Sequence, residues 1–181
     1  MKKIFLLVLL TVGFSIQYLH AQYTISGVVS YNNTSSTPLK GCIIYLLQGG
    51  DTVNQFTTVS TGQYVLIDVS PGTYTLGVKC TKAYGGTGAS DALAILRHFV
   101  LMPPLLEGLK LIAADVDNSG YINSADALYC SRRFVGQIIS YPSGDWVFEV
   151  PTVVVTNSDV IQNFKGLCFG DVNGSYIPSN P

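Results

Sequence analysis

The sequence predicts a multidomain α+β chain: an all-β sandwich followed by a smaller helical unit built around acidic loops. Three observations carry this reading. Between Tyr23 and Cys80, short runs rich in Val, Ile, Tyr and Thr alternate with turn clusters, and no stretch keeps a helical period. Between Ser90 and Val135 the chain repeats itself, because "SDALAILRHFV" and "ADALYCSRRFV" share Asp, Ala, Leu, Arg, Phe and Val at equivalent places. The stretch "DVDNSGYINSAD", Asp115 to Asp126, puts oxygen-bearing side chains at its first, third, fifth, ninth and twelfth positions and a glycine at its sixth.

The chain opens with "MKKIFLLVLLTVGFSIQYLHA", in which two lysines precede an apolar run from Ile4 to Phe14 and a small residue, Ala21. This is the pattern of a secretory signal peptide over residues 1–21, so a secreted protein, extracellular or periplasmic, is expected. The run is too short to span a bilayer comfortably and no second one follows, so no membrane span is expected.

Composition narrows the function classes. The 10 Lys and Arg against 11 Asp and Glu include Lys2 and Lys3 of the signal segment, and the remainder forms no basic cluster. Nucleic acid is therefore not expected as a partner. Once His20 leaves with the signal, His98 is the remaining histidine, and Glu107 and Glu149 lie far apart. Such a set offers little for acid–base catalysis or a carboxylate pair, and no enzyme is expected. Cys42, Cys80, Cys130 and Cys168 allow three disulfide pairings that sequence does not separate, and buried free thiols are an equal alternative.

The first unit is placed at residues 22–80. Its strand candidates are "VVSY", "CIIYLL", "TVNQFTTV", "QYVLI" and "TYTLGV", separated by "NNTSSTP", "QGGD", "STG" and "SPG". Pro71 and Gly72 suit a tight turn, with preset and permissive φ in succession. The order "ISGVV", "PLKGCIIYLL", "STGQYVLIDVSPGTYTLGV", with Gly62 and Tyr64 and then Pro71, Gly72 and Tyr74, resembles the carboxypeptidase-regulatory, or prealbumin-like, family. That resemblance implies an Ig-like sandwich of about 55 residues serving as an accessory module, with carbohydrate binding as an occasional role. Tyr64 and Tyr74 are expected to cover the sandwich edge.

The second unit is placed at residues 81–181. Each repeat copy reads as one amphipathic helix opening at an aspartate, with Ala92, Ile95 and Phe99 flanked by Leu93 and Val100, and Ala127, Cys130 and Phe134 flanked by Leu128 and Val135. In the loop before the second helix, Asp115, Asp117 and Ser119 offer side-chain oxygens, Gly120 permits a bend and Tyr121 offers its carbonyl. Asn123 binds directly or through water, and Asp126 closes the shell. Six to eight oxygens at flexible geometry suit Ca2+ better than magnesium. Ile122 is expected to turn inward. A small β-hairpin over 145–165 is expected, with strands at Trp146–Val150, Thr152–Thr156 and Val160–Phe164.

The closing aspartate and the following "DALYCSRRFVG" resemble a type I dockerin module. The resemblance implies two loop-plus-helix repeats that dock onto a cohesin-type protein partner, usually in polysaccharide-degrading assemblies. It places calcium ligands at Asp115, Asp117, Ser119, Tyr121, Asn123 and Asp126. It places partner contacts at Ser124, Ala125, Ser131 and Arg132 in one copy and at Ala89, Ser90, Leu96 and Arg97 in the other.

The first repeat departs from that pattern. Counting back from Asp91, its first, third and fifth positions are Cys80, Lys82 and Tyr84, and its ninth is Gly88. Near the other end of the chain, "GDVNGS" supplies Asp171, Asn173 and Ser175, the opening half of a loop with no closing half. A circularly permuted arrangement would join the two into a split second site of Asp91, Asp171, Asn173 and Ser175, since domain termini often lie close together.

The function expected is thus a secreted, non-catalytic, calcium-binding interaction module in which the metal is structural. The alternatives are a structural or cell-surface accessory protein, or polysaccharide binding by the β-unit through Tyr45, Tyr64 and Tyr74.

Overall fold

The computed structural model describes residues 22–179. The signal peptide expected over residues 1–21 lies outside them. Among the described residues no helix is long and apolar enough to cross a membrane.

Nine strands form two sheets that face each other as a β-sandwich. β1 (Tyr23–Tyr31), β4 (Gln63–Val69), β6 (Trp146–Phe148), β8 (Val160–Ile161) and β9 (Phe164–Cys168) make one sheet in the order β4-β1-β9-β6, with β8 also paired to β1. β2 (Ile43–Gln48), β3 (Asp51–Thr57), β5 (Gly72–Lys79) and β7 (Thr152–Val155) make the other, in the order β3-β2-β5-β7. The central strands each turn one apolar face inward. Ile44 and Leu46 of β2, Tyr74 and Leu76 of β5, and Val153 and Val155 of β7 alternate inward from one sheet to meet Ile25, Val29, Leu66, Phe164 and Leu167 of the other.

Local chemistry sets the turns. β2 and β3 are joined by Gly49 and Gly50, both at positive φ, as a two-residue hairpin with the right strand twist requires. Gly27 of β1 lies directly under the backbone carbonyl of Gln162, so any side chain there would collide with the chain passing from β8 to β9.

Among the described residues there are also three short helices: α1 (Ala89–Phe99), α2 (Leu109–Ala114) and α3 (Ser124–Phe134). α1 and α3 enclose a second, smaller core of Ala92, Ile95, Ala127 and Cys130 with Ala114, Val116, Tyr141 and Val172. α2 belongs to both cores, since Leu109 and Ala113 point into the sandwich and Ala114 into the helical cluster.

The expected fold class needs correction. The chain is a β-sandwich with three short helices, rather than a sandwich followed by a two-helix dockerin-like domain with a β-hairpin insertion. The segment 145–165 makes no hairpin of its own. β6 and β9 extend the sheet of β1, β9 runs parallel to β1 with Val29 opposite Phe164, and β7 pairs with β5. The reason is apolar area: Val153, Val155, Phe164 and Leu167 need a broad sheet to cover them. The inward faces of α1 and α3 offer chiefly Ala92, Ile95, Ala127 and Cys130.

Two smaller expectations also change. Tyr64 and Tyr74 are core residues rather than edge covers, their hydroxyls donating to the carbonyls of Gln162 and Ser70. The helical stripe is narrower than the spacing implied, because Phe99 and Phe134 are 48% and 58% exposed.

Candidate metal centre

The loop Asp115–Asp126 lies between α2 and α3. Its closing residue, Asp126, is also the third residue of α3, and its carboxylate accepts from Asn123 N at 2.9 Å. Asn123 caps the helix in return, its Oδ1 accepting from Ala125 N at 2.7 Å. The same residues therefore start the helix and close the loop. Asp126 Oδ1 also accepts from Val116 N at 2.9 Å, tying the two ends of the loop together.

Inside the loop, Ser119 N donates to Asp115 Oδ1 and Asp117 Oδ1, both at 3.0 Å, and Gly120 N donates to Asp115 Oδ2 at 2.9 Å. Ser119 Oγ donates to the Tyr121 carbonyl at 3.2 Å, so the fifth and seventh positions face each other. Asn118 takes φ +57 and Gly120 φ +82, which curl the chain inward. Asp115, Asp117 and Asp126 each present a carboxylate oxygen within 4.8 Å of the others, a cluster that could hold a metal ion. The Tyr121 side chain points to solvent, leaving its carbonyl as the useful group, and Ile122 packs against the helical core.

The chain brings Asp91, Asp171, Asn173 and Ser175 into one place, and their hydrogen bonds follow the same scheme. Ser175 N donates to Asp171 Oδ1 at 2.9 Å and to Asn173 Oδ1 at 2.8 Å. Tyr176 N donates to Asp171 Oδ2 at 3.1 Å, as Gly120 N does to Asp115. Gly88 N donates to Asp91 Oδ2 at 3.0 Å, as Asn123 N does to Asp126. Asn173 N donates to Asp91 Oδ1 at 3.0 Å, as the opening residues of the intact loop do to their closing aspartate. At the fourth position Gly174 has φ +69 where the intact loop has Asn118. At the second position Val172 and Val116 are both buried in the helical core. Two chain segments thus build what one segment builds at Asp115–Asp126.

One residue of this arrangement escaped the sequence reading. Ser175 Oγ donates to the Gly86 carbonyl at 3.3 Å, which makes Gly86 the counterpart of Tyr121 at the seventh position. Gly86 has φ +89, and a Cβ there would run into the Asp171 carboxylate. Counting five residues back from Asp91 would have found it, but a glycine carries no side-chain signal.

The electrostatics fit carboxylates crowded without a counter-charge. Burial raises Asp91 to about 6, with the neighbouring Asp171 adding to the rise and backbone N–H donors from Asn173 and Gly88 opposing it. Burial likewise raises Asp126, with Asp117 adding to it and the Asn123, Asp117 and Val116 amides opposing. Asp171, fully buried, is held by the sandwich itself: Tyr31 Oη donates to its Oδ2 at 2.6 Å, while Cys168 N donates to the same phenolic oxygen at 3.1 Å.

The residues expected to contact a partner, Ser90, Arg97, Ser124, Ser131 and Arg132, are all exposed. Two are engaged locally, Ser90 Oγ accepting from Asn173 Nδ2 at 2.9 Å and Ser131 Oγ donating to the Ala127 carbonyl at 2.9 Å. Arg133, beside them in sequence, is buried instead. Its guanidinium stacks between the rings of Tyr84 and Tyr141, 3.6 and 4.3 Å from their centroids, and pairs with Asp145. His98 accepts from Leu106 N at 3.1 Å through Nδ1, where it secures the turn after α1.

No family model matches the chain, and no curated protein matches it. Among solved structures, similarity is found to the Bacillus anthracis TIE protein, at 9% identity and a TM-score of 0.39, covering 81% of this chain and 16% of that one. A DUF3823 family protein from Parabacteroides merdae is similar at 11% identity and a TM-score of 0.36, covering 81% of this chain and 46% of that one. The chain thus spans less than half the length of either.

Proposed function

We propose that the protein is a secreted, non-catalytic calcium-binding module. In this reading two Ca2+ ions rigidify its paired loop-and-helix segments, and the outer helical face docks a protein partner of the cohesin type. The observation that carries the reading is the position-by-position match between the intact loop and the split one, from the hydrogen bonds at their closing aspartates to the hydroxyl–carbonyl contacts Ser119–Tyr121 and Ser175–Gly86.

Asp115, Asp117, Ser119, the Tyr121 carbonyl, Asn123 and Asp126 would hold the first ion. Asp171, Asn173, Ser175, the Gly86 carbonyl and Asp91 would hold the second. Oxygen donors at flexible geometry, with neither a thiolate nor an imidazole among them, favour calcium over a softer metal. The first site has three carboxylates and the second two, so the first binds more tightly. Calorimetric titration of the metal-free protein tests this. Two binding events are expected, the tighter lost in Asp126→Asn and the weaker in Asp91→Asn. A single binding event in the wild type, with the same stoichiometry in Asp91→Asn, would overturn the split site.

The docking half of the reading is supported by what surrounds the cationic positions. Leu93 and Leu128, equivalent in the repeat, are 50% and 51% exposed, one turn from Arg97 and Arg132 respectively. Each helix therefore presents a leucine flanked by serine and arginine, an apolar centre with a polar rim.

A second reading, calcium serving stability alone, is favoured by the bond from the core residue Tyr31 to Asp171, which ties the split site to the sandwich. Capture of secreted proteins with and without chelator separates the two. A partner released by chelation, and not retained by a Leu93→Glu/Leu128→Glu variant that still binds calcium, supports docking.

A further inference from the structure

Two of the four cysteines stand opposite each other at one end of the sandwich. In the register of β2 against β5, Ile43 pairs with Lys79, so the next pair outward is Cys42 with Cys80. The Cys42 carbonyl accepts from Thr58 N at 2.9 Å and its N–H donates to Thr58 Oγ1 at 3.0 Å. Its backbone groups thus face β3, which makes Cys42 and Cys80 a non-hydrogen-bonded pair. In such pairs the Cα atoms approach to about 4.5 Å and the side chains are at their closest.

Both side chains also turn the same way. Cys42 is buried in the sandwich core and Cys80 packs against that core from its margin. The two thiols lie close enough for each to act on the other's ionisation. A disulfide needs Cα atoms roughly 4.4–6.8 Å apart with Cβ vectors converging, which a pair of this kind provides without moving the backbone. Cys130 and Cys168 are placed differently. Cys130 lies against Tyr141 in the helical core, and Cys168 lies against Tyr31 and the Gly85 amide.

We propose that Cys42 and Cys80 form a disulfide when the folded chain meets an oxidising environment, while Cys130 and Cys168 remain thiols. Cys80 is the less buried of the two, and the contact with Cys42, aided by Lys82, lowers its ionisation range, so it is the sulfur that reacts first. The Cys80 thiolate attacks the disulfide of an oxidised dithiol catalyst or of oxidised glutathione, giving a mixed disulfide and one free thiol. Cys42 then loses its proton, its sulfur attacks Cys80 Sγ, and the second reagent thiol departs. Two protein thiols are oxidised and one reagent disulfide is reduced.

The bond has a structural role that does not depend on the metal reading. Cys80 is the last residue before the segment 81–88, whose far end brings the Gly86 carbonyl to Ser175 and the Gly88 amide to Asp91. A covalent anchor at Cys80 fixes the origin of that segment to β2.

The test uses the purified, folded full chain equilibrated with oxidised glutathione, then denatured and alkylated without reductant. Mass spectrometry should find two alkylated cysteines, Cys130 and Cys168, and a non-reducing digest should yield a peptide pair joined through Cys42 and Cys80. Reductant should lower the melting temperature of the oxidised protein by about 5–15 °C, and have no such effect on Cys80→Ser. Four alkylated cysteines, glutathione retained on Cys80, or a bridge to Cys130 or Cys168 would each overturn the proposal.

Discussion

Tyr31 Oη donates to Asp171 Oδ2 at 2.6 Å, joining the core of the sandwich to the first position of the split loop. The ring is held edge-on by Trp146 and Tyr176, each with its centroid 5.7 Å away, so the hydroxyl has little freedom to point elsewhere. Tyr31→Phe keeps the ring and removes the donor from a buried carboxylate. A loss of about 1–3 kcal/mol in stability is expected, with weaker binding at the split site and no change at Asp115–Asp126, as read by thermal melts and calorimetry.

Gly86 makes a sharper test of the split loop, because it contributes a backbone carbonyl only. Gly86→Ala adds a methyl group directed at the Asp171 carboxylate in a left-handed backbone position. The variant should lose the weaker calcium event and about 1–3 kcal/mol of stability, while the tighter event persists. Equal calcium stoichiometry in Gly86→Ala and wild type would argue that Gly86 contributes nothing.

The pH response should reverse sign on loading. In the metal-free protein the folded value of Asp91, about 6, lies above its unfolded value, so the native state binds the proton more tightly. Stability is then highest below the unfolded carboxylate range and falls as pH rises toward 6, by on the order of 2–3 kcal/mol from this group. With calcium bound the ionised form is favoured, and stability should instead rise with pH across the same window. Melting curves between pH 4 and pH 7, with calcium and with chelator, check both slopes.

The exposed leucines of the helices should matter to partners and little to folding. Leu93→Glu and Leu128→Glu each change stability by under about 0.5 kcal/mol, as surface substitutions do. Each should weaken capture of a calcium-dependent partner, and the double variant should abolish it. Unchanged capture by the double variant would place docking elsewhere.

The loops were legible in the sequence because their chemistry is local. Asp115 to Asp126 shows its spacing within one segment, and the remnants at Asp91 and Asp171 each show half of that pattern. The sheets were less legible, because β9 pairs with β1 across most of the chain and a parallel partner leaves no mark in either segment. Periodicity also could not distinguish Ile95, buried, from Phe99, exposed, since both lie on the same helical stripe. Arg133 was hidden for a related reason. A guanidinium clasped by Tyr84 and Tyr141 depends on rings supplied from both ends of the helical segment.

The parallel pairing of β1 with β9 has a kinetic consequence. β1 receives β9 only after the intervening strands have been made, so its sheet cannot close early in synthesis. Until β8 and β9 have been made, β1 has β4 as its sheet neighbour, and the apolar faces of both sheets stay partly uncovered. Folding of this chain should therefore be slow for its size.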